Sequence, residues 1–132
     1  MDRKTASDIL VNAIKQITGP PYRSHVFQVH DEFRFLDDLN EWPTVCITPN
    51  FDQFHHSLSG ERYSRLGFDI RAYVFSDMDV IEAEEALADD IEEALGGITE
   101  LQDIRIHEIE MDEGLNSPFG VLIMRVSVLF LR

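Results

Sequence analysis

The apolar positions divide the chain into segments with two different periods. Ala6, Ile9, Leu10, Ala13, Ile14 and Ile17 recur at helical spacing and put one apolar stripe on a helix over 5–18. Gly19-Pro20-Pro21 stops it, because proline has no amide proton and clashes with the preceding turn. Phe27, Val29, Phe33 and Phe35 alternate raggedly, broken at Asp31, which predicts an irregular strand over 26–35. The β-branched run Thr44–Thr48 predicts a short strand, and 50–60 reads as a loop. Leu66, Phe68, Ile70, Ala72 and Val74 alternate with Arg65, Gly67, Asp69, Arg71 and Tyr73, the clearest strand in the chain.

A second helix is predicted over 79–95. Its stripe is Val80, Ala83, Leu87, Ile91 and Ala94, with Ser76 or Asp77 as cap and Gly96-Gly97 as terminator. Its acids are expected on the outward side. In 103–111 the apolar phase slips from Ile104 and Ile106 to Ile109 and Met111, which predicts a bulge near His107 or Glu108. Leu122, Met124, Val126, Val128 and Phe130 line one face of a last strand over 121–131. Its mixed second face suits an interior place in the sheet. Together these elements predict a single two-layer α+β domain over residues 1–132. Two amphipathic helices cover one face of a mixed, mostly antiparallel sheet of about five strands. The opposite sheet face carries Tyr73, Phe75, Leu129 and Leu131, which is apolar enough to hint at a partner.

Charge narrows the range of functions. The formal net charge is -14, and eleven acids with no Lys or Arg lie between Ala72 and Ile104. Such a chain does not hold DNA by neutralising phosphates. The acidic stretch is accounted for as a solvated helix face or as a surface that repels nucleic acid. The longest apolar run, 121–131, is short and interrupted by Arg125 and Ser127, so no membrane helix is expected, and the opening residues do not read as a secretory signal. One cysteine, Cys46, sits in a β-branched strand and reads as a small buried hydrophobe from a reducing compartment.

The chemistry-bearing residues form no known reactive pattern. His55 and His56 are adjacent, His25 and His30 lack a finger-spaced partner, and His107-Glu108 lacks a second histidine four residues on. Nucleophile elbow, Walker and dinucleotide motifs are missing from the sequence. No catalytic residue, cofactor or metal is expected. Two segments are candidates for contacts instead. Phe51, Phe54 and Leu58 are apolar side chains in the expected polar loop, suited to anchoring a partner. The run Asp112-Glu113-Gly114-Leu115-Asn116-Ser117-Pro118-Phe119-Gly120 combines flexible glycines with a stiffening proline.

In that run the chain resembles the tail terminator proteins of long, flexible-tailed phages (siphophages). The likeness rests on Asp112 to Leu115 followed by Ser117, Pro118, Phe119 and Gly120. It is extended by the opening Met1–Thr5, by the acidic approach Phe35–Glu41 to the Trp42-Pro43 step, and by the strand Leu66–Phe75 leading into Ser76-Asp77 and an acidic helix. The resemblance implies a virion protein, assembled in the host cytoplasm, that sits as a hexameric ring at the head-proximal end of the tail. It implies three partners: copies of itself, the tail-tube protein and a head-completion or neck protein. DNA is expected to pass the ring's lumen without specific binding. Asp112, Glu113, Leu115, Pro118 and Phe119 are then expected at a subunit or docking interface, and Phe51, Phe54 and Leu58 toward a partner. Two other readings remain open: another tail-tube or neck component of similar fold, and an acidic DNA-mimic binding module.

Overall fold

The computed structural model describes residues 2–56, 58–112 and 118–131. Glu113 and Leu115 therefore lie outside the described residues. Helix α1 (Arg3–Lys15) begins earlier than the apolar stripe because the Asp2 carboxylate caps it, accepting from the Thr5 amide and hydroxyl at 2.7 Å each. It also ends earlier, at Lys15, although Ile17 beyond it is still fully buried.

Strand β1 is only Gln28–His30. The expected strand over 26–35 is thus mostly irregular chain. Past Asp31 the backbone leaves the sheet edge and crosses its outer face, where Phe33 lies 5.3 Å from the Arg71 guanidinium and the Arg34 carbonyl accepts from the Tyr73 hydroxyl at 2.8 Å. Strand β2 runs Thr44–His56, so the expected loop over 50–60 is corrected: residues 50–56 are strand, and only the turn at 58–60 remains. A register shift between Pro49 and Phe51 reverses the alternation, which hid the strand from a period-two reading. Beyond that shift few side chains are covered on either face, so the pattern had no apolar row to display.

Strand β3 (Arg62–Phe75) pairs antiparallel with β2 and with β5 (Phe119–Leu131); β5 pairs antiparallel with β4 (Gln102–Met111), and β1 joins β2 in parallel. The order is β1-β2-β3-β5-β4, so β5 is interior as expected. The phase slip in β4 is a register shift between Ile106 and Glu108, and a second shift lies between Gln102 and Arg105. The fold is α+β, with α1 and α2 (Val80–Gly96) on one face of an open five-stranded mixed sheet.

The core lies between those layers. Leu10, Ile14, Ile47, Ile70, Leu87, Ile91, Leu122 and Met124 are all fully buried there. Burial of each such side chain contributes about 1.5–3 kcal/mol. Two expectations about α2 are corrected. Its cap is Asp79, whose carboxylate accepts from the Glu82 amide at 3.0 Å, while the Ser76 hydroxyl holds the Met78 and Asp79 amides before it. Its acids are also not all outward: Glu84 and Asp90 are buried. Asp90 accepts from the Arg23 amide at 3.1 Å and so ties α2 to the turn after α1. The stripe read from apolar residues alone had no way to include two carboxylates.

The outer sheet face is less bare than expected. Tyr73 and Thr44 are buried beneath the crossing segment, and Cys46 is buried with its thiol pushed up by loss of solvent. Farther along, Asp69 receives Asn50 at 3.1 Å and approaches Arg125 at 3.8 Å, and Arg125 reaches Glu108 and Glu110 at 2.8 Å. This polar row crosses β2, β3, β5 and β4. Exposed pairs of this kind contribute little stability, about 0–1 kcal/mol each. Their effect is to keep that face wet.

Candidate functional site

The residues singled out in the sequence gather at two opposite ends of the sheet. Phe51, Phe54 and Leu58 belong to the β2–β3 hairpin, and Pro118 and Phe119 to the start of β5. Phe51 and Phe54 pair with Gly67 and Ser64 on β3, and Phe119 pairs with Phe75, so roughly 26 and 36 Å of strand lie between them at ~3.3 Å per residue. They do not form one surface.

At the hairpin end, Phe51 lies opposite Gly67 in the register, and its ring fills the space where a Gly67 side chain would stand. Phe51 and Phe54 are exposed, and Leu58 in the turn is fully so. Close to them, a cavity of about 510 Å³ opens between the first turn of α1 and the strands, lined by Arg3, Asp8, Phe51, Asp52, Leu66 and Phe68 among others. Arg3 Nε donates to Asp52 at 2.7 Å, and Lys4 pairs with Asp8 at 3.3 Å, so four of the five charged side chains lining this cavity, all but Asp31, are paired with one another.

The β5 end holds an aromatic triangle. Phe119 pairs with Phe75 across the β3–β5 ladder, their ring centroids 5.3 Å apart, and Trp42 lies 5.5 Å from Phe119 and 5.9 Å from Phe75. Pro118 is anchored by its carbonyl, which accepts from the Ser76 amide at 2.9 Å, and the Asp112 amide donates to Val121 at 3.0 Å. Phe75 is half-exposed, and Met78 and Ile81 at the adjacent start of α2 are exposed. The sequence identified Phe119 and the Trp42-Pro43 step separately. It did not indicate that they touch, and it missed Phe75 as their third member. An aromatic on the terminal residue of a strand, next to a helix cap, was the available signal.

Glu84 and Gly120 sit beneath the triangle; Gly120 belongs to the motif run, but Glu84 and its place against that glycine are not legible in the sequence. Glu84 is fully buried, and a Cβ built on Gly120 would overlap its Oε1 and lie 2.6 Å from Val80 Cγ2. Gly120 is therefore the seat that admits the carboxyl group. Burial, with the nearby Asp112 charge adding to it, pushes the Glu84 carboxyl up to about 7.

One nucleophile–base contact occurs among the described residues. His107 Nε2 lies 2.6 Å from Ser127 Oγ, which also receives Arg65 Nη1 at 3.3 Å. Ser127 is fully buried between β3 and β4 and receives a cation's N–H, so its oxygen is neither accessible nor basic enough to attack a substrate. The arrangement holds the bulge at His107 in place. Arg65 also pairs with Asp103, whose carboxyl lies below the usual range chiefly through its bond to Arg105 and then through Arg65. His25 stacks on Phe27 and His30 pairs with Gln28, and no group of three or more His, Cys, Asp or Glu among the described residues is placed to hold a metal ion. Among the described residues, no helix is long and apolar enough to cross a membrane. Compared with known proteins, the chain matches no protein-family model and no curated sequence.

Proposed function

We propose that this chain is a structural subunit of a phage tail, a terminator that closes the tail tube as a ring and presents a new surface to a head-completion or neck protein. The observation that carries this reading is the contact between Trp42 and Phe119. The two belong to separate segments of the family resemblance, far apart in sequence, and they meet in one half-exposed aromatic cluster. A docking surface assembled from such segments is what an assembly protein needs: aromatic anchors, fixed by the sheet, at one end of the molecule. The hairpin with Phe54 and Leu58 supplies a second apolar contact at the other end, so one copy is able to touch two different neighbours.

Neighbouring copies in such a ring meet through side chains and not by extending the sheet. The free edge of β4 is broken by two register shifts and by Asp103 in the left-handed region (φ 48°); on the other side β1 covers only Thr44–Cys46 of β2, whose remaining edge is itself bulged at Pro49/Phe51. Bulged or very short edges resist strand addition. The exposed acids of α2, Glu82, Glu85, Asp89, Glu92 and Glu93, give a face that repels DNA during its passage. The same acids favour the DNA-mimic reading, in which α2 engages a nucleic-acid-binding protein directly.

The deciding experiment is electron microscopy of tube protein polymerised with and without this chain. Tubes of limited length, each bearing one terminal ring of it, are expected. Unchanged tube lengths would defeat the proposal, and incorporation along the whole tube would identify a tube subunit instead. Phe119→Ala is expected to weaken ring attachment by about 2 kcal/mol or more if Phe119 is an anchor.

A further inference from the structure

Of the two buried acids among the described residues, Glu84 and Asp90, only Glu84 has neither carboxylate oxygen in a well-formed hydrogen bond. Asp90 fixes the Arg23 turn, Ser127 holds His107, and Thr44 donates to the Glu41 carbonyl at 2.6 Å. Neither oxygen of Glu84 makes a hydrogen bond of good geometry among the described residues, and only the Val121 backbone amide pulls weakly at its charge. A glutamine or a leucine would fill the same volume without the penalty of a buried acid. The position is also specific: the carboxyl group lies against Gly120, and the next residue toward the chain start is Phe119 of the aromatic triangle.

We propose that Glu84 is a proton-operated latch, in which the protonated carboxyl group seats α2 on Gly120 and holds Phe119 against Trp42, and loss of the proton loosens this end of the sheet.

The surroundings fit that role. From the end of β4 the facing charged group is Asp112, which opposes ionisation of Glu84. From β5 come Gly120 and Val121, and from β3 the residue opposite Gly120 is Val74; none of these titrates. The Val121 backbone amide pulls weakly in the other sense. On α2 itself the residues one turn away, Val80, Leu87 and Ala88, are apolar and buried. No Lys, Arg or His among the described residues acts on Glu84 to stabilise its charge. Once ionised, the carboxylate is driven toward water, and any such movement takes it off its seat on Gly120. Because the carboxyl group titrates near 7, neutral pH is where the latch changes state.

The chain reports on this itself, since Trp42 is its single tryptophan and rests on Phe119. Trp42 fluorescence is followed from about pH 5 to pH 9 in the wild type, in Glu84→Gln and in Asp112→Asn. The wild type is expected to show a transition centred near 7. Glu84→Gln, a neutral isostere, is expected to abolish it with the emission held at the low-pH value. Asp112→Asn is expected to keep the transition and move it to lower pH, because a neighbouring negative charge is removed. A flat wild-type curve, a transition that survives in Glu84→Gln, or an unmoved midpoint in Asp112→Asn each overturns the proposal. Asp112→Asn leaves the buried seat untouched, so the test stands even where Glu84→Gln folds poorly.

Discussion

Gly67 and Gly120 lie on adjacent strands, and in each case another residue occupies the place of the missing side chain. The occupants differ in kind. Over Gly67, on the outer face, it is the ring of Phe51, a half-exposed side chain at the hairpin end that is free to swing into water. Under Gly120, on the helix face, it is the Glu84 carboxyl together with Val80, both enclosed between α2 and the sheet. A glycine within a strand therefore has two meanings in this molecule. One is a shallow seat for a surface aromatic and the other a sealed seat for an acid. The difference is one of escape: a side chain beside water yields to a new neighbour, whereas one in a packed interior does not.

The largest effect that sharpens this comparison is the dependence of stability on pH. The folded chain holds the Glu84 proton up to about 7, whereas the unfolded chain releases it near the ordinary value of 4.5. Between those values the folded state binds the extra proton, so this group's contribution is complete below the lower one and lost as pH rises through the higher one. The slope is about 1.4 kcal/mol per pH unit for one proton. Urea unfolding of wild type and Glu84→Gln over that range isolates it: the difference between the two is expected to turn in favour of the glutamine variant as pH rises. An unchanged difference refutes the buried-acid assignment.

Gly120→Ala comes next. Its methyl group meets Val80, which has no freedom to retreat, and destabilisation of about 2–3 kcal/mol is expected in the same measurement. Gly67→Ala meets only the outer edge of the Phe51 ring, and about 1 kcal/mol or less is expected. In a double-mutant cycle, Phe51→Ala is expected to lose its own effect once Gly67 is alanine. Equal losses at the two glycines would erase the distinction. The smallest effect is at Leu58, fully exposed in the turn, where Leu58→Ser is expected to leave stability within about 0.5 kcal/mol. Any larger effect of that substitution on tube binding measures its use as a contact.

The two ends were also unequally legible. Phe51 and Phe54 stand out in the sequence because they are apolar in a polar stretch, yet the pattern of that stretch predicts a loop. The register shift at Pro49/Phe51 reverses the strand's phase, and the uncovered hairpin has no need of an apolar row. At the other end Phe119 was singled out from its motif, while Trp42 and Phe75 reached it only through the cross-strand pairing of β3 with β5 and the path of the segment before β2. Glu84 was hidden for a simpler reason. An acid among nine acidic helix and cap residues between Asp77 and Glu93 carries no mark of burial until the glycine facing it is known.

By itself the sequence determined the layers: helical spacing in α1 and α2, alternation in β3 and β5, and the bulge in β4, because each depends on residues close together along the chain. Only the tertiary structure decided which acid lost its water, which aromatics met, and which glycine became a seat. Those outcomes depend on which strand lies beside which, a long-range choice that the local pattern of polar and apolar residues permits but does not specify.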